Sequence, residues 1–465
     1  MSCSCKATRL ITAAILGFIL ITGIVAAARA HKGSNDFDTF YAAGKAVLTH
    51  QGIYYQGEYY GTPGNKGPFL YSPAAACFFA AFAVFPIWLA AFLFNALNVF
   101  LYGWCLKKSG RLLDMPGGFS AESLKPWREG LYFAMLFLLL LDNLIMAQAN
   151  ILVFALCVLA LGLYQDSKNF RAGFALSAAI LLKATPALFL FYFLLKRQWK
   201  VLGGTLAGLA ALTVLIPTLI FGPGQNRVYH RQWLGRIIKP TLVTLQAKRE
   251  KDDGHPLKKS AEQIRFEALT AKLTEKNQSL EGGLTRLLLK DRNRYADEGS
   301  YPIQAATRYR KLPVLFGGIK LEKLSLLTTA VKGLMFLCLL ALWTSQEKNP
   351  RALRGALEIS LVFLSMPLLS PVARSHQFVV WAFPFLALMG AGRRAEPLAP
   401  AGISAAARAA CVIYFLQMLP YGKAAGMGTW ANVVLWAAFV FWTLRSSKTH
   451  FPKPESQEPH ARLHS

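Results

Sequence analysis

The sequence predicts an all-α polytopic membrane protein, and three observations carry that prediction. Hydrophobic residues make up 54% of the 465-residue chain and charged ones only 16%, against roughly 25% charged in a soluble domain. The apolar residues gather into runs such as 10–28, 87–106, 131–146 and 201–221, each close to what a helix needs to cross a hydrocarbon core of about 30 Å. The 51 Lys+Arg and 24 Asp+Glu, a net charge of +27, collect between those runs. Together these exclude a soluble enzyme, a disordered chain and a secreted disulfide scaffold.

A charge of +27 raises the possibility of nucleic acid, but no basic segment outside the apolar runs is interleaved with aromatics. Anionic headgroups and phosphorylated lipids suit the distribution better, so the expected partners are the bilayer and a lipid phosphate, with no nucleic acid. Cys77, Cys105, Cys157, Cys338 and Cys411 stand alone inside apolar runs and read as packing residues. Cys3 and Cys5 lack partners for a metal site.

The run 10–28 follows Lys6 and Arg9 and reads as an uncleaved first span with a cytoplasmic N-terminus. Residues 30–86 then form a first outer loop, in which 71–85, short and ended by Pro86, reads as a membrane-surface helix. The run 87–106 goes inward to Lys107, Lys108 and Arg111; 131–146 goes out and 151–164 returns to Lys168 and Arg171. Residues 172–195 carry positive charge at both ends, so the positive-inside rule favours a hairpin broken at Lys183-Ala184-Thr185-Pro186, whereas their length alone slightly favours one span. The run 201–221 opens a long outer loop, 222–323, with 21 Lys+Arg and 11 Asp+Glu. Long loops cross regardless of charge. The runs 324–343, 356–369, 378–389, 404–419 and 431–444 complete about twelve spans, with two large outer loops, a solvated tail after Arg445 and both termini inside.

On that topology Asp36, Asp38, Gln148, Asn150, Lys183, Arg374 and His376 all fall at or near the outer face. Asn35-Asp36-Phe37-Asp38 follows the first span; a carboxylate in a partly dry pocket makes a general base, while a helix cap and a dipole partner are the plainer roles. Lys183 between two apolar arms needs a partner or a wet cavity, and either an anionic phosphate or snorkelling to headgroups answers that. Arg374 suits bidentate phosphate binding and His376 a hydrogen bond to phosphate or a sugar hydroxyl; an interfacial turn would also use them. Asp142 and Gln148 read as helix-to-helix hydrogen-bonding groups or as site residues. Asn277-Gln278-Ser279 matches a glycosylation sequon, a pattern of low specificity.

No Walker loop, dinucleotide fingerprint, His-Glu-x-x-His or Cys-x-x-Cys is present. Several segments together resemble the family 87 glycosyltransferases: Asp36-Phe37-Asp38-Thr39-Phe40-Tyr41, then Leu70-Tyr71-Ser72-Pro73, Ala147-Gln148-Ala149-Asn150, Leu182-Lys183-Ala184-Thr185-Pro186, Asn277-Gln278-Ser279-Leu280 with Gly282, and Leu369-Ser370-Pro371 with His376. The chain departs from the family's pattern in having Ser72 in a Tyr-Pro-Pro-like element and Ala147 for Gly.

The resemblance implies a GT-C-type helical bundle in a bacterial cytoplasmic (inner) membrane, with an extracytoplasmic active site. It implies an inverting transfer of a hexose, mannose foremost, from a polyprenyl-phosphate sugar to a glycolipid or glycan acceptor. Asp36 would be the general base, with Asp38 the alternative. Lys183, Arg374 and His376 would bind the donor phosphate, and Tyr41, Tyr71, Gln148, Asn150, Asn277 and Gln278 the substrates. No metal or cofactor is required beyond the lipid donor. A transporter or flippase of lipid-linked sugars would use the same basic cavity without needing Asp36 as a base.

Overall fold

The computed structural model describes residues 2–32, 36–54, 69–113, 126–235, 273–290, 312–344, 352–392, 401–419 and 421–446. Those residues form helices and connections, with one backbone bridge between Leu289 and Ile319. In chain order the helices are α1 (Ser2–His31), α2 (Phe37–Leu48), α3 (Pro73–Ala83), α4 (Ile87–Leu112), α5 (Pro126–Met146), α6 (Asn150–Gln165), α7 (Asn169–Leu182), α8 (Leu188–Leu195) and α9 (Trp199–Phe221). After them come α10 (Pro223–Trp233), α11 (Leu280–Leu288), α12 (Leu321–Thr344), α13 (Ala352–Leu369), α14 (Ala382–Gly392), α15 (Ala401–Phe415) and α16 (Met427–Ser446).

Among the described residues, seven helical segments are long and apolar enough to cross a membrane: α4, α9, α12, α16, and the stretches Ala13–His31, Glu129–Met146 and Ala401–Met418. Their outer faces carry exposed Leu16, Ile21, Leu206, Leu219, Leu326, Leu334 and Phe441. Such faces are a liability in water and ordinary against lipid. The other runs expected to cross are also helical: α6, α7, Thr185–Leu195 and Ser375–Gly390 have fewer than 18 residues, while α13 has 18. The run 71–85, expected to lie on the membrane surface, holds the helix α3, whose 11 residues rise only about 17 Å. It starts on Ser72, which caps Ala75 N–H, and packs Phe79 in a stack on Phe40 of α2, with centroids 4.4 Å apart.

Residues 172–195 form a hairpin. Pro186 has no N–H to offer the last turn of α7, so the helix stops and Lys183 is extended at φ −157°, ψ 132°. Direction is settled by α9. Gly204 approaches the Phe170 carbonyl, Gly173 lies against Val201 and Thr205, and Gly208 sits on Phe174 and Ser177. These pairings advance together, so α7 and α9 are parallel neighbours. Trp199 is thus level with the start of α7, and the chain has come back along α8 to reach it.

Within α9 the helix widens to a π-turn at Ala211–Leu215, just before Pro217. The proline cannot donate to Thr213, and Asn226 of α10 supplies the missing donor through Nδ2 at 3.2 Å. The same amide reaches Thr218 Oγ1 at 2.9 Å.

Backbone contact between α7 and α9 leaves no room for a side chain at Gly204, whereas a Cβ on Gly203 meets nothing within 4 Å. Gly204→Leu should cost at least the ~1–3 kcal/mol typical of overpacking, with Gly203→Leu close to wild type. Thermal unfolding in detergent, followed by size-exclusion chromatography, reads the difference.

Candidate functional site

The connections that meet at one end of the bundle are each stopped by local chemistry. The α1–α2 connection ends at Asp36, whose N–H donates to the Met146 carbonyl (3.2 Å), tying it to the α5–α6 turn. That turn is made possible by Ala147 in the left-handed region, φ +46°. The α7–α8 turn carries Lys183. The α13–α14 connection carries Arg374, extended at φ −112°, ψ 159°, followed by the short 3-10 helix Ser375–Trp381.

Asp36 occupies the cap position of α2 but its side chain caps nothing. Its Oδ2 instead accepts from Gln148 Nε2 and pairs with Arg374 Nη1 at 3.4 Å. Both charged side chains are accessible, 34% for Asp36 and 43% for Arg374. Lys183 Nζ donates to Asn150 Oδ1, and Asn150 Nδ2 donates to Asn143 Oδ1 at 3.3 Å. Asn143 in turn donates to the carbonyl of His376 at 2.7 Å. Asp36 and Arg374 are the charged groups that act on Lys183; Lys183, Arg374 and Lys423 are those that act on His376. Behind Lys183 lies a cavity of ≈ 20 Å³, bordered by Asn150, Thr185 and Gln377, about one water in size.

A second carboxylate joins from α5: Asp142 Oδ2 accepts from Ser375 Oγ at 2.6 Å and feels Lys423. Three cations, Lys183, Arg374 and Lys423, therefore share this end with two carboxylates, Asp36 and Asp142. Arg374, accessible on this cluster, can meet an anion directly.

The remaining expected site residues differ in placement. Tyr71 packs edge-on to Phe40 at 5.0 Å, and burial, reinforced by the Asp36 carboxylate, pushes its phenol up, so it stays a hydrogen-bonding group. Tyr41 commits its hydroxyl to the Phe85 carbonyl at 2.9 Å. Asp38 is 3% exposed and accepts from its neighbour Thr39 N–H at 2.7 Å. Burial raises its pKa to about 6, with Asp36 adding to the rise and the Thr39 N–H opposing it. Asn277 and Gln278 are buried and spend their amides on backbone groups of 371–373, 275 and 423. Asn277, wholly buried, is no acceptor for a glycan in the folded chain.

Four participants, Asn143, Ser375, Lys423 and Arg286, escaped sequence reasoning. Asn143 and Ser375 sit beside residues that were read, and a polar pair inside the run 131–146 was a usable signal. Arg286, wholly buried in α11, was hidden among the many charges of the long loop.

No curated protein and no solved structure matches the chain. The model of glycosyltransferase family 87 matches residues 69–246, a stretch that holds Tyr71, Gln148, Asn150 and Lys183. It is the family that the sequence motifs resemble, and the match indicates a membrane glycosyltransferase.

Proposed function

We propose that the protein transfers a hexose, mannose foremost, from a polyprenyl-phosphate donor to a glycolipid or glycan hydroxyl at the extracytoplasmic face of a cytoplasmic membrane. One observation carries the reading: an accessible carboxylate, Asp36, held by Gln148 beside Arg374, with Lys183 and His376 in the same cluster. Twelve spans with both termini inside and two large outer loops remain the layout we propose around it.

In the proposed reaction the acceptor hydroxyl gives its proton to Asp36 as its oxygen attacks the anomeric carbon. The bond between that carbon and the phosphate oxygen breaks, with inversion, and the electron pair leaves on polyprenyl phosphate. Arg374 and Lys183 neutralise the growing negative charge, and the His376 ring offers it a hydrogen bond. Fixed charges aimed at a leaving group in a water-poor site are usually the largest catalytic contribution. An incoming phosphate competes with Asp36 for Arg374, which frees the carboxylate to act as base while Gln148 keeps it oriented. The reaction needs no metal or cofactor.

Asp36 suits the role of base better than Asp38 because it is accessible and faces the cations, whereas Asp38 is enclosed and bound to its own neighbour. In proteoliposomes supplied with radiolabelled polyprenyl-phosphate mannose, Asp36→Asn should lower transfer by about 10² to 10⁴, the usual worth of a positioned base. Retained transfer in Asp36→Asn with loss in Asp38→Asn moves the base by two residues. Passage of intact donor between leaflets, with no transfer to any acceptor and no effect of Asp36→Asn, identifies a flippase instead.

Asp38 should show itself in stability. A carboxyl raised from 3.8 to about 6 stabilises the fold while it is neutral, and that contribution is lost as pH rises through 6. Wild type should lose about 1 kcal/mol between pH 5 and 7.5 relative to Asp38→Asn. Thermal midpoints in detergent across that range check it.

A further inference from the structure

The segment around Asn277 belongs to the long loop, yet its polar groups are spent on the connection that carries Arg374. Asn277 Oδ1 accepts from Ala373 N–H at 3.1 Å and from Ser279 N–H at 3.0 Å. Asn277 Nδ2 donates to the Pro371 carbonyl at 3.4 Å, and Ser279 Oγ donates to the same oxygen at 3.1 Å. Gln278 N–H donates to the Ala373 carbonyl at 2.5 Å. The Pro371 and Ala373 groups among these sit immediately before Arg374 in the chain.

The segment is itself fixed from behind. Arg286 donates through Nη1 to the carbonyls of Asn277 (2.7 Å) and Thr274 (2.8 Å), and through Nε to that of Ala424 (2.8 Å). Gln278 Nε2 donates to the Lys423 carbonyl at 2.9 Å, and Thr429 Oγ1 to the Gln278 carbonyl at 2.9 Å. Asn277, Ser279 and Arg286 are all fully buried.

We propose that Asn277, Ser279 and Arg286 are positioning residues: they clamp Pro371–Ala373 so that Arg374 is presented to Asp36 and to the donor phosphate, and they touch no substrate themselves. The proposal rests on the transferase reading for what Arg374 does, and on the hydrogen bonds alone for the clamp. Ser375 and Asn143 tie the chain to α5 just after Arg374; the clamp fixes the stretch just before it, and holding both sides lowers the entropy lost in aiming a long side chain. Lys423 is delivered by the same clamp, because Gln278 and Arg286 hold its carbonyl and that of Ala424.

A double-mutant cycle tests the role. Asn277→Ala should slow transfer from polyprenyl-phosphate mannose by about tenfold in wild type, within the range of coupling between residues of one network. In an Arg374→Ala background it should change the residual rate less than twofold, because the group it positions is gone. An equal loss in both backgrounds overturns the proposal, as does no loss in wild type. Ser279→Ala, which removes little volume, replaces Asn277→Ala in the cycle if the latter does not fold. Hydrogen exchange over 371–376 is read in parallel and needs no substrate. Asn277→Ala should speed it, since the Ala373 amide loses its acceptor, and unchanged exchange overturns the clamp. If wild type transfers no sugar, the transferase reading falls, and the clamp is judged on exchange alone.

Discussion

Helix ends and broken helices leave backbone groups that hydrocarbon cannot solvate, and this protein collects several of them at one end of its bundle. An unmet peptide group in an apolar setting costs several kcal/mol, so each connection there must find polar partners on another. The α1–α2 connection is tied to the α5–α6 turn through Asp36 N–H and Met146, and the α13–α14 connection to α5 through Asn143 and Ser375. Ser72, at the head of α3, donates to Leu181 at the end of α7. Satisfying the backbone is therefore what brings Asp36, Lys183, Arg374 and His376 together; the chemistry sits on a scaffold that the solvent demands.

The same need divides labour among the polar residues. Those with chain-wide backbone duties, Asn277 and Ser279 above all, are sealed off. Those with charges to spare, Asp36 and Arg374, remain accessible. Gln148 and Asn150 stand between the two groups, nearly buried yet each bonded to one charged side chain, Asp36 and Lys183 respectively. A site of this kind is rigid where it is aimed and open where it would react.

Much of this was legible in the sequence because membrane proteins expose their physics in one dimension. Lys183 beside Pro186, flanked by apolar arms and positive charge at both ends, foretold the hairpin that the pairing of α7 with α9 displays. Asp36, Gln148, Lys183 and Arg374 stood out as polar residues at span ends. The family pattern has glycine where this chain has Ala147, and the positive φ there explains the preference. Partners separated by long stretches of chain were not legible. Nothing near Asn277 announces that its amide serves Ala373, 96 positions on. Arg286 reads as one loop charge among many until its burial is known. Run lengths also left open how far the shorter helices α6 and α7 reach, since apolarity marks burial in protein as readily as in lipid.

Asp36 and Arg374 are 338 residues apart, and that separation matters while the chain is being made. A ribosome releases the carboxylate early and its guanidinium partner only after most of the helices have been synthesised. During that interval Asp36 lacks its ion-pair partner and has only the more distant Lys183, a wait that a side chain still open to water can endure. A nascent or truncated chain ending short of Arg374 would carry the carboxylate without its charge partner.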